Sequence, residues 1–128
     1  MLNRSGISKS TYTATKQILA NVELQNSVGC VVPQTLGVTV GAKKIVKAGT
    51  PIKIDLMNIQ TVAVKADGTT PMNAVVLHDV DVSLGDANAT ALIFGFVNVN
   101  RVDADVATAI TTATGASAAS KLITFIKA

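Results

Sequence analysis

The sequence predicts a mainly β domain, a compact barrel-like or sandwich-like fold with one short C-terminal helix and an extended N-terminal arm. Three observations lead to this prediction. Of the 128 residues, 48% are hydrophobic, which supports one domain with a real core. Aromatic residues make up only 3%, so the core is built mostly from small and β-branched side chains, which favour strands. From Val28 onward, short apolar runs alternate with Gly and Pro turn signals.

The first twenty residues are polar and lack a clean period, which predicts an arm over 1–20 and a single domain over 21–128. The chain has a net charge of +3, and three basic residues of the arm, Arg4, Lys9 and Lys16, precede the first acid, Glu23. With one aromatic ring available for base stacking, the arm is a weak match to a nucleic-acid binder. We therefore predict no nucleic-acid partner.

The segment 43–65 contains two alternating stretches, which predict strands with one buried face each. Ile52, Ile54 and Leu56 alternate with Lys53 and Asp55. Further along, Val62 and Val64 repeat the scheme, alternating with Ala63 and Lys65. Gly49 is expected to adopt a backbone conformation that a β-carbon disfavours.

Two longer runs follow and are apolar on both faces. They cover Ala74 to Leu77 and Ala91 to Val97, and both predict deeply buried strands. Gly85 to Asn88 supplies the turn between them. The two runs are expected to enter and leave the core at the same rim.

The end of the chain predicts a helix and then a strand. Asp103 or Asp105 suits the N-cap, and Gly115 suits the C-terminus. The predicted buried face consists of residues at three- and four-residue steps: Val102, Val106, Ala109, Ile110 and Ala113. The predicted final strand places Leu122, Thr124 and Ile126 opposite Ile123 and Phe125.

The sequence "HDVD" (78–81) is the first candidate for chemistry. In a regular strand, Asp79 and Asp81 share one face and His78 lies on the other, so the three do not converge on one metal ion. Asp81, Asp86 and Asn88 offer oxygens for calcium across the turn, but capping of turn amides explains them as well. The prediction is that the protein holds no metal and no cofactor.

A thiol enzyme is the second chemical candidate. The chain has one Cys and one His, so the only possible dyad is Cys30 with His78. Apolar neighbours surround Cys30, which favours a packed core thiol. No glycine-rich loop of the phosphate-binding kind is present in the sequence. We predict that the protein is not an enzyme.

The N-terminus has no apolar core typical of a secretion signal, and no apolar run reaches the length of a bilayer span. The sequence therefore predicts synthesis in the cytoplasm and no membrane partner.

Three stretches occur in a characteristic order: "VKAGTPIKID", "AVVLHDVDVSLGDANATALIFGFVNVNRV" and "ATAITTATGASAASKLITFIKA". Together they resemble the head decoration proteins of tailed bacteriophages, the family that includes the decoration protein of phage lambda. The resemblance covers roughly Lys43 to Ala128, and its most specific part is Leu77 to Asn98. It implies a β-tulip-type fold without catalytic activity.

The resemblance further implies a homotrimer on the outer surface of the virion, where it binds the major capsid protein. Such a protein stabilises the expanded head against internal DNA pressure. The arm, with Arg4, Lys9, Tyr12 and Lys16, is then the candidate capsid contact. We expect the low-charge apolar faces, at Ile93 and Phe94, to form the trimer contact.

Two alternative functions stay open. One is a thiol enzyme that uses Cys30 and His78, and the other is a binding module. The sequence "IVKAGTPIKIDL" (45–56) also resembles the turn of small β-clip domains, which bind carbohydrates or assembly partners. The result that favours this binding-module interpretation is a protein that is a folded monomer and binds a soluble carbohydrate.

Overall fold

A computed structural model describes residues 17–20, 25–115 and 119–127, and it confirms a mainly β fold with one short helix. The strands are β1 Asn26–Val32, β2 Val38–Val40, β3 Lys43–Val46, β4 Pro51–Lys53, β5 Val64–Lys65, β6 Ala74–Val76, β7 Val80–Asp81, β8 Ala87–Asn98 and β9 Ile123–Ile126. Helix α1 spans Ala104–Thr114, and 3-10 helices span Gln34–Leu36 and Val99–Arg101.

The larger sheet has the strand order β1-β8-β6-β4-β5, and β9 also pairs with β8. All of these pairs are antiparallel except β8 with β9, which is parallel. A bridge between Val31 and Val62 joins β1 to the residues just before β5, and the Ala63 amide donates to the Val31 carbonyl at 2.8 Å. This contact connects the two ends of the sheet and closes it into a small barrel.

The smaller sheet has the order β2-β3-β7, and it covers the barrel. Val46 at the end of β3 and Val82 just after β7 are both fully buried, and both belong to the cluster inside the barrel. The smaller sheet therefore shares the hydrophobic core of the larger one.

Two core clusters lie on opposite faces of β6 and β8. Ala74, Val76 and Ala91 belong to the cluster inside the barrel. Val75 and Leu92, which are register partners, belong to the cluster beneath α1. The first run is buried on both faces, as predicted, whereas the second has Phe94 37% exposed and Ile93 and Phe96 half-buried. The two runs pair with each other as antiparallel strands.

Residues 17–20, part of the predicted arm, lie against the domain. Ile18 and Leu19 are buried in the cluster beneath α1, and Leu19 pairs with Val97. Val97 also pairs with Phe125 of β9. Because a strand residue has one neighbour on each edge, the end of β8 lies between residues 17–20 and β9.

The predicted buried face is wrong for the segment 62–65, and for the segment 52–56 it is confirmed at Ile52 and Ile54 but not at Leu56. Val62 and Val64 are 39% and 50% exposed, whereas Ala63 between them is buried. Alternation shows that two faces differ but not which one points inward. Here the tight contact with Val31 turns the smallest side chain toward the barrel. Leu56 is 54% exposed because β4 ends at Lys53, before the alternating pattern does.

The predicted helix and its buried face are confirmed in the main. Val106, Ile110 and Ala113 are buried, and α1 ends immediately before Gly115. Asp103 occupies the N-cap position but makes no side-chain capping bond. Its carboxylate lies 3.2 Å from Lys47 Nζ instead, so it ties the helix to the β3–β4 turn.

Candidate functional site

The structure gives the "HDVD" segment a structural task. Residues 77–79 belong to no strand, so the premise of one regular strand through this segment is wrong. Asp79 Oδ1 accepts a hydrogen bond of 2.7 Å from the buried Ala48 amide. Asp81 Oδ1 accepts one of 2.9 Å from the Ser83 amide. Each carboxylate fixes a turn.

Cys30 and His78, the only possible thiol dyad of the sequence, lie in unlike surroundings. Cys30 is only 5% exposed, inside the barrel, and burial raises the pKa of its thiol. A nucleophilic thiol needs the opposite shift, because the thiolate is the reactive form. His78 is half-buried, and its Nδ1 atom makes no hydrogen bond in the described part of the chain. The geometry gives Cys30 the character of a core residue.

The three oxygen donors considered for calcium do not come together. Asp81 and Asp86 line one surface concavity, whereas Asn88 lines another beside Gly29. Asp86 Oδ1 accepts a 2.9 Å hydrogen bond from the Gln34 amide, so it holds the 3-10 helix in place. Among residues 17–20, 25–115 and 119–127, no three His, Cys, Asp or Glu side chains gather as a metal site requires.

The outer face of β8 and β9 is an exposed apolar surface, and we call it the β8–β9 face. It presents Phe94, Leu122 and Ile126, which are 37%, 60% and 38% exposed. Gly95 pairs with Ile123 in the parallel ladder, so the preceding residues Phe94 and Leu122 are neighbours across the two strands. The face therefore places two exposed apolar side chains side by side, and Ile126 lies further along β9, beyond the exposed Thr124.

The structure separates the two residues predicted to form a trimer contact. Phe94 belongs to the exposed β8–β9 face. Ile93 is half-buried and packs against the cluster inside the barrel. Successive strand residues point to opposite faces, and this geometry gives only Phe94 a side chain directed away from the core.

The β4–β5 loop is the second exposed apolar surface. Leu56 is 54% and Met57 is 94% exposed. Beside them, Val62 and Val64 line an open groove of about 440 Å³. The loop contains three exposed large apolar side chains within four residues: Leu56, Met57 and Ile59.

The turn between β7 and β8 carries the third surface, a single leucine. Leu84 is 104% exposed, so its whole side chain stands in solvent. The Gly85 amide donates to the Val82 carbonyl at 3.2 Å, which closes the turn beneath it, and Gly85 has φ +139. From its sequence this segment was predicted only to be a turn. The sequence signal for an exposed contact residue is the large apolar side chain between Ser and Gly at the tip of the turn.

The arm residues Arg4, Lys9, Tyr12 and Lys16 lie outside the described residues. Among the residues that are described, no helix is both long and apolar enough to span a bilayer. The chain matches no model of a known protein family and no curated protein sequence. The features that point to a function are therefore the exposed surfaces and the sequence motifs.

Proposed function

We propose that the chain is a non-enzymatic structural protein of a phage virion. It binds the outer surface of the capsid as a homotrimer, contacts the major capsid protein, and stabilises the expanded head against internal DNA pressure. The observation that best supports this role is the β8–β9 face, where Phe94 and Leu122 lie side by side and stay exposed on a domain that already has two buried core clusters.

Exposed apolar surfaces of this kind favour assembly. Contiguous apolar patches are uncommon on soluble monomers and mark places where another molecule binds. A trimer presents three copies of each capsid contact, and linked contacts raise the effective local concentration of one another. Weak contacts per subunit therefore suffice for firm attachment to a symmetric shell.

The ionisable side chains that drew attention in the sequence are engaged in holding the fold. Asp79 binds the Ala48 amide, and Lys47 lies 3.2 Å from carboxylate oxygens of Asp103 and Asp105. Charged side chains that hold the fold in this way suit a protein that must keep its structure while the capsid is under internal pressure. The motifs from Lys43 to Ala128 supply the class of partner, because they resemble the decoration proteins of tailed phages.

The test of this function has two measurements. Light scattering coupled to size exclusion gives the mass in solution, and we expect three times the chain mass of 13.1 kDa. Cosedimentation with expanded, undecorated phage heads then measures binding, and we expect saturation at a fixed number of copies per head. Failure of the purified protein to bind such heads at any concentration contradicts the proposal.

Phe94→Asp is expected to convert the trimer to a monomer, because it places a charge on the β8–β9 face beside Leu122. Since Phe94 is partly exposed, the variant keeps the circular dichroism spectrum of the wild type. Ile93→Asp is expected to unfold the domain instead, because Ile93 packs on the barrel core. Leu56→Asp is the control on another surface and retains the trimer mass. A folded Phe94→Asp protein that stays trimeric removes this face from the trimer contact.

The groove beside the β4–β5 loop favours a second candidate, a β-clip-type binding module. It combines apolar Leu56, Val62 and Val64 with polar side chains such as Lys53 and Thr61. This combination suits a carbohydrate, which presents both apolar faces and hydroxyl groups. A monomer that ignores phage heads but binds a soluble oligosaccharide in titration calorimetry favours this candidate over the capsid role.

A further inference from the structure

We infer that copies of this chain associate head to tail, with the Leu84 turn of one copy seated on the β8–β9 face of the next. The inference rests on the proposed homotrimer and names the two surfaces that form it. Both surfaces lie among the described residues, and they differ in shape and in charge.

The Leu84 turn is rigid before it binds anything. Ser83 accepts hydrogen bonds from the Lys44 amide at its hydroxyl, 2.9 Å, and from Gln34 Nε2 at its carbonyl, 3.2 Å. Asp86 accepts another from the Gln34 amide. These bonds join the turn to the barrel and the smaller sheet. A fully exposed leucine on a fixed turn is preorganised for insertion, because little backbone entropy is lost on contact.

Two carboxylates flank Leu84. Asp81 and Asp86 line the same concavity of about 300 Å³ beside it. One oxygen of each accepts a backbone amide hydrogen bond, and the second Asp81 oxygen lies 4.0 Å from the exposed Lys43 Nζ. A carboxylate accepts more than one bond, so both groups retain capacity for a cation from another molecule. The turn therefore offers an apolar tip beside two carboxylates, one of which already faces Lys43.

The β8–β9 face has the complementary character. Its apolar residues are bracketed in sequence by Lys121 and Lys127, which are both exposed. In the part of the chain that the structure describes, neither lysine forms an ion pair. Strand β9 pairs only with β8 among the described strands, so its outer edge adds backbone groups for a partner. The face is therefore apolar, with an exposed lysine next to it in sequence at each end.

This complementarity identifies the occupant as a second copy in a head-to-tail arrangement. Contact between two identical β8–β9 faces brings lysines together, and contact between two Leu84 turns brings carboxylates together. Like charges in contact oppose such symmetric pairing, whereas the unlike pair attracts. A contact between two different surfaces of one chain closes into a ring when the rotation allows it. Three copies then form the ring that the proposed function requires.

Leu84→Asp tests the turn, and Met57→Asp in the β4–β5 loop is its matched control, since both residues are almost fully exposed. Light scattering coupled to size exclusion is expected to give the mass of one chain for Leu84→Asp. For Met57→Asp the expected mass is that of the wild type. If folded Leu84→Asp protein keeps the wild-type mass, or if the wild type itself is monomeric, the inference is overturned.

A mixing experiment tests the head-to-tail geometry. Leu84→Asp protein keeps an intact β8–β9 face, and Leu122→Asp protein keeps an intact Leu84 turn. Each variant alone is expected to be a monomer, and an equimolar mixture is expected to give a dimer at high concentration. A symmetric contact between like surfaces predicts no rescue, so a mixture that stays monomeric at the highest soluble concentration contradicts the arrangement.

Binding of the same proteins to expanded heads separates this inference from the capsid role. If Leu84→Asp remains trimeric while the wild type binds heads, the head-to-tail contact is wrong and the capsid role stands. If Leu84→Asp is monomeric, the mixture dimerises and the wild type ignores heads, the contact stands and the capsid role fails.

Discussion

Strand β4 has a connection at each end, and the two connections are built in opposite ways. The β3–β4 turn, Lys47–Thr50, is part of the core. Ala48 is fully buried and donates its amide to Asp79. Gly49 donates to the Val76 carbonyl at 2.7 Å, and Val76 in turn donates to the Thr50 carbonyl at 3.0 Å.

The β4–β5 loop, 54–63, is held mainly by bonds within itself. The Asn58 amide donates to the Asp55 carbonyl, and the Thr61 amide donates to the Asn58 carbonyl, both at 3.0 Å. Asp55 Oδ1 also accepts from the Met57 amide at 3.0 Å. The tip of the loop makes few bonds to the rest of the domain and presents its apolar side chains to solvent.

The difference shows that one connection stabilises the fold, whereas the other is available to contact a partner. When the amides of a turn bond to distant strands, a substitution in the turn also disturbs the core. A loop that closes on itself accepts new side chains without consequence for the fold, so it is free to vary with a partner. The two connections therefore predict very different responses to substitution.

The largest effect is expected for Gly49→Ala. Gly49 has φ +92, and a β-carbon there lies 2.7 Å from Val102 Cγ1. Backbone strain and overpacking each destabilise by about 1–3 kcal/mol, so the free energy of unfolding falls by roughly 2–6 kcal/mol. Urea denaturation followed by far-ultraviolet circular dichroism measures it, since the chain has no Trp.

Two control variants complete that measurement. Gly29→Ala places a β-carbon with no atom within 4 Å, and Met57→Ser changes the tip of the loop. Both are expected to alter the free energy of unfolding by less than about 0.5 kcal/mol. A loss at Met57→Ser equal to that at Gly49→Ala contradicts the division between the two connections.

An intermediate effect is expected for Asp79→Ala. The substitution leaves the buried Ala48 amide without its acceptor, which destabilises by about 1–3 kcal/mol. Asp79→Asn keeps a side-chain oxygen at the same position and is expected to recover most of the loss. The same urea titration compares the three proteins. Equal stability of Asp79→Ala and the wild type removes this carboxylate from the anchoring of the turn.

The smallest effect is expected for Lys47→Met and depends on pH. Hydrogen bonds to Asp103, and then to Asp105, raise the pKa of Lys47 above its ordinary value of 10.5. A raised pKa in the folded state means that the ion pairs stabilise below pH 10.5 and lose their effect as the pH rises through the folded value. Partly exposed pairs contribute about 1 kcal/mol or less.

Thermal unfolding measures this pH dependence. The melting temperature of the wild type is expected to exceed that of Lys47→Met at pH 7 to 9. The gap is expected to close above pH 10.5. A gap that is unchanged at pH 11 contradicts the assignment to charge and indicates lost packing of the lysine stem instead.

The parts of the fold that followed from sequence are those that local chemistry dictates. The run Ala74–Leu77 is apolar on both faces, and it has a core cluster on each side. Gly49 has the positive φ that its turn position predicted. The helix face at Val106, Ile110 and Ala113 followed from its spacing alone.

What escaped prediction depends on contacts between distant residues. The bridge from Val31 to Val62 reverses the buried face of the segment before β5, and no local pattern encodes a partner 31 positions away. Asp79 lies outside the strands, where its carboxylate accepts the hydrogen bond of the Ala48 amide. For the candidate site, Phe94 was found in the sequence, whereas Leu84 was not, because exposure at a turn tip depends on what surrounds the turn.

The pairing of β1 with β8 has a consequence for the order in which the chain folds during its synthesis on the ribosome. Cys30 pairs with Ala89, which is synthesised 59 positions later. At about 5–20 residues per second, β1 waits roughly 3–12 seconds for its partner. Until β8 emerges the barrel stays open, and apolar strands are available to chaperones or to neighbouring nascent chains. Translation that stalls before Ala87 therefore yields a fragment without its central strand.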